Sequence, residues 1–117
     1  MSYIKRRLEE SSPQRITCGT MRELTGYKDC EKVNVIHVTI NDETVKHYHK
    51  TGIEAYYVLK GSIDLELDDK TEHCEAGTLV TILPGTRHKA KRTGSTPAEV
   101  LVISVPAWKR EDEILVE

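Results

Sequence analysis

The amino-acid sequence predicts an all-β sandwich or barrel, and three features carry that prediction. Eight or so short runs rich in Val, Ile, Leu and Thr follow one another, with Gly, Pro, Asn and Asp between them. Ile63, Leu65 and Leu67 alternate with acidic residues, which is the period of a strand with one buried face. No run has the length and period of a convincing long helix, so the elements must pack sheet on sheet or close into a barrel.

The expected strands are, in order, residues 15–24, 33–40, 44–49, 54–60, 63–67, 71–75, 78–83, 88–92 and 99–105. Each boundary rests on a turn or breaker signal. Asn41-Asp42 ends the second run, Gly61 closes the fourth, and Asp69-Lys70 turns the chain after the fifth. Pro84-Gly85 breaks the β-branched seventh run, and Pro106 ends the ninth, which is the most apolar.

The rest of the chain divides simply. Residues 1–14 are polar and predict an N-terminal arm, and residues 15–117 predict a single domain of ordinary size. The tail, residues 108–117, is expected to hold at most a helical turn.

Composition excludes several classes of partner. Of the 117 residues, 38% are apolar and 31% charged, and the net charge of −2 is too small to indicate nucleic acid or an anionic membrane. No apolar run is long enough to span a bilayer, and the N-terminus lacks the apolar core of a signal peptide. With no export signal, Cys18, Cys30 and Cys74 are interpreted as reduced thiols in a cytoplasmic protein, packed as small hydrophobes.

Four residues have the chemistry and placement of metal ligands. On a strand, His47 and His49 project to the same face, and Glu54 opens the next strand after a short loop. His88 comes from a distant segment, where the turn at Pro84-Gly85 would swing its ring toward the same point. Three imidazoles and one carboxylate suit one divalent transition metal ion, and Fe, Mn, Ni and Zn all remain possible.

These residues also carry a family resemblance. His47-x-His49-x4-Glu54-x6-Gly61 is similar to the first motif of the cupin superfamily, and Gly77-x5-Leu83-Pro84-Gly85-x2-His88 resembles its second motif. The resemblance implies an all-β cupin double-stranded β-helix, a jelly-roll barrel, with the metal at its mouth. It also implies a homodimer formed through edge strands or termini, for which the N-terminal arm and residues 99–105 are the expected segments. The sequence departs from the motifs at Asn41, Leu83 and Arg92, and none of these is a ligand.

Three further residues are candidates for contact with a small-molecule ligand. Tyr56 has the parity of Glu54 and could present its hydroxyl to a substrate, although a core tyrosine is an equally good interpretation. His37 could contact substrate, but a satisfied core or surface histidine is the better interpretation. Arg92 has the parity of His88 and could reach an anionic substrate. The catalytic candidates are therefore Glu54, as a base, and Tyr56.

Two functions of different classes fit this pattern. The first is a metal-dependent enzyme that acts on a small oxygen-bearing molecule, of the dioxygenase or the isomerase/lyase type. The alternative is a binding or sensor module that captures a small molecule without turnover. A purely structural metal fits less well, because a site at a barrel mouth is open to solvent.

Overall fold

The computed structural model describes residues 2–117, which form two antiparallel β-sheets facing each other. The strands are β1 (Gln14–Ile16), β2 (Gly19–Thr25), β3 (Asn34–Ile40), β4 (His47–His49), β5 (Ile53–Lys60), β6 (Ser62–Leu67), β7 (Lys70–Glu75), β8 (Leu79–Ile82), β9 (His88–Arg92), β10 (Ala98–Val105) and β11 (Glu113–Leu115). One sheet has the order β1-β2-β3-β10-β5-β8, and the other has the order β11-β4-β9-β6-β7. The predicted all-β jelly-roll fold is confirmed.

The prediction of one strand over residues 15–24 was wrong. The segment forms the hairpin β1–β2, with a tight turn at Thr17 and Cys18. Gly19 permits this turn, because a Cβ there would lie 2.0 Å from the backbone oxygen of Thr39 on β3. A period-2 pattern survives a two-residue turn, so the alternation alone did not reveal it.

The tail contains more structure than the sequence predicted. Arg110–Asp112 forms the expected helical turn, of the 3₁₀ type, but the strand β11 follows it and pairs with β4. Asp112 ties this turn to the loop before β5: its carboxylate accepts hydrogen bonds from the Thr51 and Gly52 amides at 2.8 and 3.0 Å. The tail therefore supports β4, which carries His47 and His49, and the start of β5, which carries Glu54.

The predicted N-terminal arm lies against β2, with Met1 outside the described residues. It contains a 3₁₀ turn at Leu8–Glu10. The Arg22 guanidinium donates hydrogen bonds to the carbonyls of Leu8 and Ser11, at 3.3 and 2.8 Å. Arg6 bonds the Asp29 carboxylate and the Leu24 carbonyl. The other segment expected at a dimer interface was residues 99–105. These residues lie in β10, which has β3 and β5 on either side and is therefore not a sheet edge.

Strand alternation divides the interior between the sheets into a packed half and an open half. Ile63, Leu65, Ala90 and Val100 are completely buried and fill one end with apolar contacts. At the other end, inward side chains of β3, β4 and β5 surround a cavity of about 580 Å³, and Val38 on β3 is one of them. No helix among residues 2–117 has the length and apolar character that crossing a bilayer demands.

Candidate metal centre

The structure brings the four predicted ligand residues together beside this cavity, which His47 and Glu54 line. His47 and His49 project from β4, Glu54 from β5 in the opposite sheet, and His88 from the start of β9. All four are buried, and one potential ligand atom from each lies within 4.8 Å of all the others. His47 and His88 are register partners across β4 and β9, which sets their rings 4.3 Å apart between centroids.

Local backbone geometry places these side chains. Gly85 adopts a φ of +86°, in the left-handed region that favours glycine, and its amide donates a 2.8 Å hydrogen bond to the His49 carbonyl. The Pro84-Gly85 turn is thereby attached to β4, and His88 begins the next strand beside it. This is the physical reason why the two motifs, distant in sequence, converge.

Hydrogen bonds orient two of the imidazole rings. Nδ1 of His47 lies 2.7 Å from the Val45 carbonyl oxygen, and Nδ1 of His88 lies 2.9 Å from the Thr86 carbonyl oxygen. A carbonyl oxygen only accepts, so each Nδ1 carries a proton, and a neutral ring held this way would offer its Nε2 lone pair to a metal. Backbone carbonyls commonly fix metal-binding histidines in this way.

The Glu54 carboxylate lies between the imidazole rings of His49 and His88 and contacts both. Its Oε1 lies 3.0 Å from Nε2 of His88, and its Oε2 lies 3.2 Å from Nε2 of His49. Burial raises the pKa of the Glu54 carboxyl, but the hydrogen bonds and charges of His49 and His88 outweigh burial and lower that pKa to about 2. Glu54 is therefore a carboxylate at every ordinary pH.

The pKa values of His47 and His49 are shifted in opposite directions. Burial lowers the pKa of His47, and the neighbouring His88 adds to that effect. Burial also lowers the pKa of His49, but the adjacent Glu54 carboxylate outweighs it, so that the net shift is upward. Burial thus favours the neutral form of His47 that a metal requires, whereas Glu54 favours the protonated form of His49.

The cluster fits a transition metal ion by two criteria. The Nε2 atom of His49 is buried, and its contact with Oε2 of Glu54 at 3.2 Å lacks the geometry of a hydrogen bond; a buried polar nitrogen of this kind is rare unless it binds something. Opposite ligands of an ion at the usual bond lengths lie about 4.2 Å apart, so a cluster within 4.8 Å needs only small adjustments. Nitrogen and carboxylate donors without thiolate suit Fe, Mn, Ni or Zn.

The other predicted site residues are placed differently. Tyr56 lines the cavity, with its ring centroid 6.1 Å from that of His88, and burial strongly raises the pKa of its hydroxyl. His37 points to the opposite face of β3, where its Nε2 lies 3.0 Å from the Glu99 carboxylate. Arg92 pairs with Ile63 at the far end of β9, about 13 Å along the strand from His88. The structure does not bring His37 or Arg92 to the cavity.

Sequence reasoning missed a further carboxylate. Glu113 on β11 is the register partner of His49, and its Oε1 lies 3.5 Å from Nε2 of His47. The indole Nε1 of Trp108 donates a 3.3 Å hydrogen bond to the same oxygen. The only signal in the sequence was the alternation of Glu113 and Leu115 about Ile114, which is too short to establish a strand.

A small jelly-roll barrel with three imidazoles and one carboxylate at its cavity is the class of protein that this fold and cluster define. The family model described as "Cupin domain" matches residues 34–104. The chain belongs to the cupin family, which confirms the resemblance found in its two motifs.

Comparison with known proteins agrees with this membership. Over 80 residues the chain is 32% identical to "Uncharacterized protein MJ1618" of Methanocaldococcus jannaschii. That alignment covers 68% of this chain and 64% of the relative, so the chain spans just under two thirds of that protein's length.

Solved structures share the fold at low sequence identity. A Streptomyces PAC13 variant with uridine is similar with a TM-score of 0.85 and 20% identity, covering 99% of this chain and 92% of that one. PAC13 is described as a nucleoside dehydratase. Oxalate decarboxylase from Bacillus subtilis is similar with a TM-score of 0.84 and 17% identity, covering 99% of this chain and 32% of that one. Enzymes are therefore among the structural neighbours of this chain.

Proposed function

We propose that this protein is a metal-dependent enzyme that acts on a small oxygen-bearing molecule at a mononuclear centre. His47, His49, Glu54 and His88 would hold one divalent Fe, Mn, Ni or Zn ion. The observation that carries the proposal is the convergence of these four buried side chains, in which Nε2 of His49 makes no hydrogen bond of good geometry. A purely structural role for such a cluster would leave the adjoining cavity unexplained.

The residues around the centre indicate how the site would work. When bound, the ion would supply Lewis-acid chemistry of the isomerase or lyase type or, as Fe(II), the activation of dioxygen. The Val45 and Thr86 carbonyls keep the Nε2 lone pairs of His47 and His88 directed at the cluster. Tyr56 would present a protonated hydroxyl to a substrate oxygen, because its raised pKa keeps it neutral. Glu54 would act as a base only where the ion holds it loosely, because a carboxyl with a pKa of about 2 is a weak proton acceptor.

Metal analysis tests the centre. Protein prepared without metal-chelating resin should contain about one equivalent of a divalent transition ion by elemental analysis. His49→Ala should lose that ion and retain the fold. His73→Ala is the matched control, because His73 is exposed and lies on β7, away from the cluster. Equal metal content in both variants would refute the ligand assignment.

Turnover separates the enzyme from the binding module. Small acids, sugars, phenols and nucleosides should be screened with the metal-loaded protein, with uridine included because the similar PAC13 structure contains it. Oxygen uptake that depends on Fe(II) would select dioxygenase chemistry, and product formation without oxygen would select isomerase or lyase chemistry. Ligand-induced stabilisation with no product from any stabilising ligand would select the binding module.

We also propose a homodimer. Large apolar side chains are exposed on the outer face of the six-stranded sheet, including Ile53, Tyr57 and Leu79 with exposed fractions of 39%, 37% and 57%. Apolar patches of this kind are typical of protein interfaces. Light scattering should give twice the chain mass of 13.3 kDa, and a monomeric mass at micromolar concentration would reject the proposal.

A further inference from the structure

The cavity beside the centre has an unusual charge pattern. Its wall includes three carboxylates, those of Glu23, Glu54 and Glu113, and among the described residues no lysine or arginine lines it. The sequence has 17 lysines and arginines, so their absence from the wall is a matter of placement rather than of composition. The charge pattern therefore carries information about the ligand.

Glu113 is the carboxylate best placed to contact a ligand. It lies on β11 and lines the cavity. Its side chain is 29% exposed, so a ligand in the cavity could reach it. Its Oε1 is held by the Trp108 indole and lies 3.5 Å from Nε2 of His47, beside the proposed centre. A group that occupies an open position of that centre would therefore lie within hydrogen-bonding reach of this carboxylate.

Glu23 adds a second carboxylate on the other sheet. It lines the open rim of the cavity from β2 as an exposed residue, and its carboxylate lies over Gly26, where a Cβ would come within 2.2 Å of Oε1. Asp29 is the main cause of the raised pKa of Arg6, and the charge of Glu23 adds a smaller contribution. The Arg6 guanidinium, however, is bonded to Asp29 and to the Leu24 carbonyl outside the cavity, so it leaves Glu23 without a hydrogen-bonded cation.

Among residues 2–117, the cavity offers no free positive side chain even with a metal bound. A divalent ion and the Glu54 carboxylate sum to +1, and the Glu113 carboxylate beside them brings the sum to 0. An anionic ligand would enter without a basic partner and next to the Glu113 carboxylate, whereas a hydroxyl or ammonium group could donate to Glu113. The opposite wall, formed by Ile36, Val38 and Val102, is apolar and suits a hydrocarbon or ring body.

We propose that the cavity binds a neutral or cationic ligand, an alcohol or amine on an apolar body, whose polar group donates to Glu113, and that it selects against carboxylates. This inference rests on the proposed function in one respect, namely that the cavity is the small-molecule site. It adds the class of ligand, which the metal cluster alone leaves open. Glu113 acts in it as the residue that determines specificity.

A matched ligand series tests the preference directly. Phenethylamine, 2-phenylethanol and phenylacetate have the same ring and nearly the same length, and they differ in carrying a positive, neutral or negative polar group. Calorimetry and thermal shift with metal-loaded protein should show the amine and the alcohol binding, and the acid binding at least about tenfold more weakly. Equal or tighter binding of phenylacetate would overturn the proposal, as would no binding of any of the three at millimolar concentration.

Two variants assign the effect to Glu113. Glu113→Gln should weaken the binding of phenethylamine by about tenfold and reduce the difference in affinity between phenethylamine and phenylacetate. Glu111→Gln removes one exposed carboxylate from the same segment outside the cavity, and its affinities should match those of the parent. An unchanged amine affinity in Glu113→Gln would overturn the assignment. Metal content is measured in parallel: full metal with the wrong ligand preference refutes this proposal alone, whereas missing metal refutes the proposed centre.

Discussion

Replacement of Glu54 by glutamine should destabilise the metal-free protein in a narrow pH window. The depression of the Glu54 pKa from 4.5 to about 2 measures how strongly the folded state prefers its charged form. At 1.36 kcal/mol for each pKa unit, the carboxylate contributes about 3 kcal/mol, mainly through its contacts with His49 and His88. Glu54→Gln removes the charge that makes these contacts and keeps the side-chain volume.

The sign of the effect follows from both partners. The Glu54 pKa is depressed by folding, so its contribution is present above pH 4.5 and is lost as pH falls toward 2. The His49 pKa is raised by folding, so its contribution is present below pH 6.5 and is lost as pH rises through the folded pKa. The Glu54–His49 pair therefore contributes most to the free energy of unfolding between pH 4.5 and 6.5. Burial lowers the pKa of His47 and the charge of Glu54 raises it only in small part, so the substitution affects His47 less than it affects His49.

Urea and thermal unfolding in the presence of a chelator measure the effect. At pH 5.5 the variant should lose about 3 kcal/mol, or about 12 °C in Tm for a domain of this size, and the difference should shrink by pH 8.5. Glu66→Gln is the control, because Glu66 is an exposed carboxylate whose only ion pair, among residues 2–117, is a 3.8 Å contact with Lys46. Equal stability of Glu54→Gln and parent at pH 5.5, or a loss independent of pH, would refute the reasoning.

Three further predictions concern the metal and the packing. Adding the native metal to chelated protein at a hundred times its Kd should stabilise the parent by about 2.7 kcal/mol and leave His49→Ala unchanged; a stabilised His49→Ala would contradict the ligand set. Leu65→Ala should cost about 2 to 5 kcal/mol in urea unfolding because Leu65 is completely buried, and a loss below about 0.5 kcal/mol would contradict this account of the core. Gly19→Ala should destabilise more than a surface substitution, because its Cβ would clash with the Thr39 carbonyl 2.0 Å away, and a Tm equal to that of the parent would disprove this account.

The sequence predicted the ligand cluster well, since most of the information is local. Strand parity placed His47 and His49 on one face, a short loop placed Glu54, and the Pro84-Gly85 turn placed His88. The resemblance to cupin motifs then supplied the barrel that closes these segments on one another. Parity also placed Arg92 correctly on the face of His88, but parity does not report distance along a strand, and four residues separate the two.

What the sequence did not predict depends on pairing between distant segments. Glu113 reaches the cavity only because β11 pairs with β4, and a three-residue strand has too short a pattern to be recognised alone. His37 is occupied by Glu99 because β3 and β10 are neighbours in the sheet, which no local pattern reveals. The charge pattern of the cavity likewise emerges only when β2, β5 and β11 are brought together.

The pairing of β4 has a consequence for the order in which the protein matures. This strand carries two of the four ligand candidates, yet it is only three residues long and shares a single register pair with β9, so β11 is its main neighbour. Contacts between segments so far apart in the chain form late during folding, because loop closure is slow and costs entropy. The ribosome must therefore deliver nearly the whole domain before β4 is fully paired, and an ion that binds the proposed centre would meet a folded barrel rather than a nascent chain.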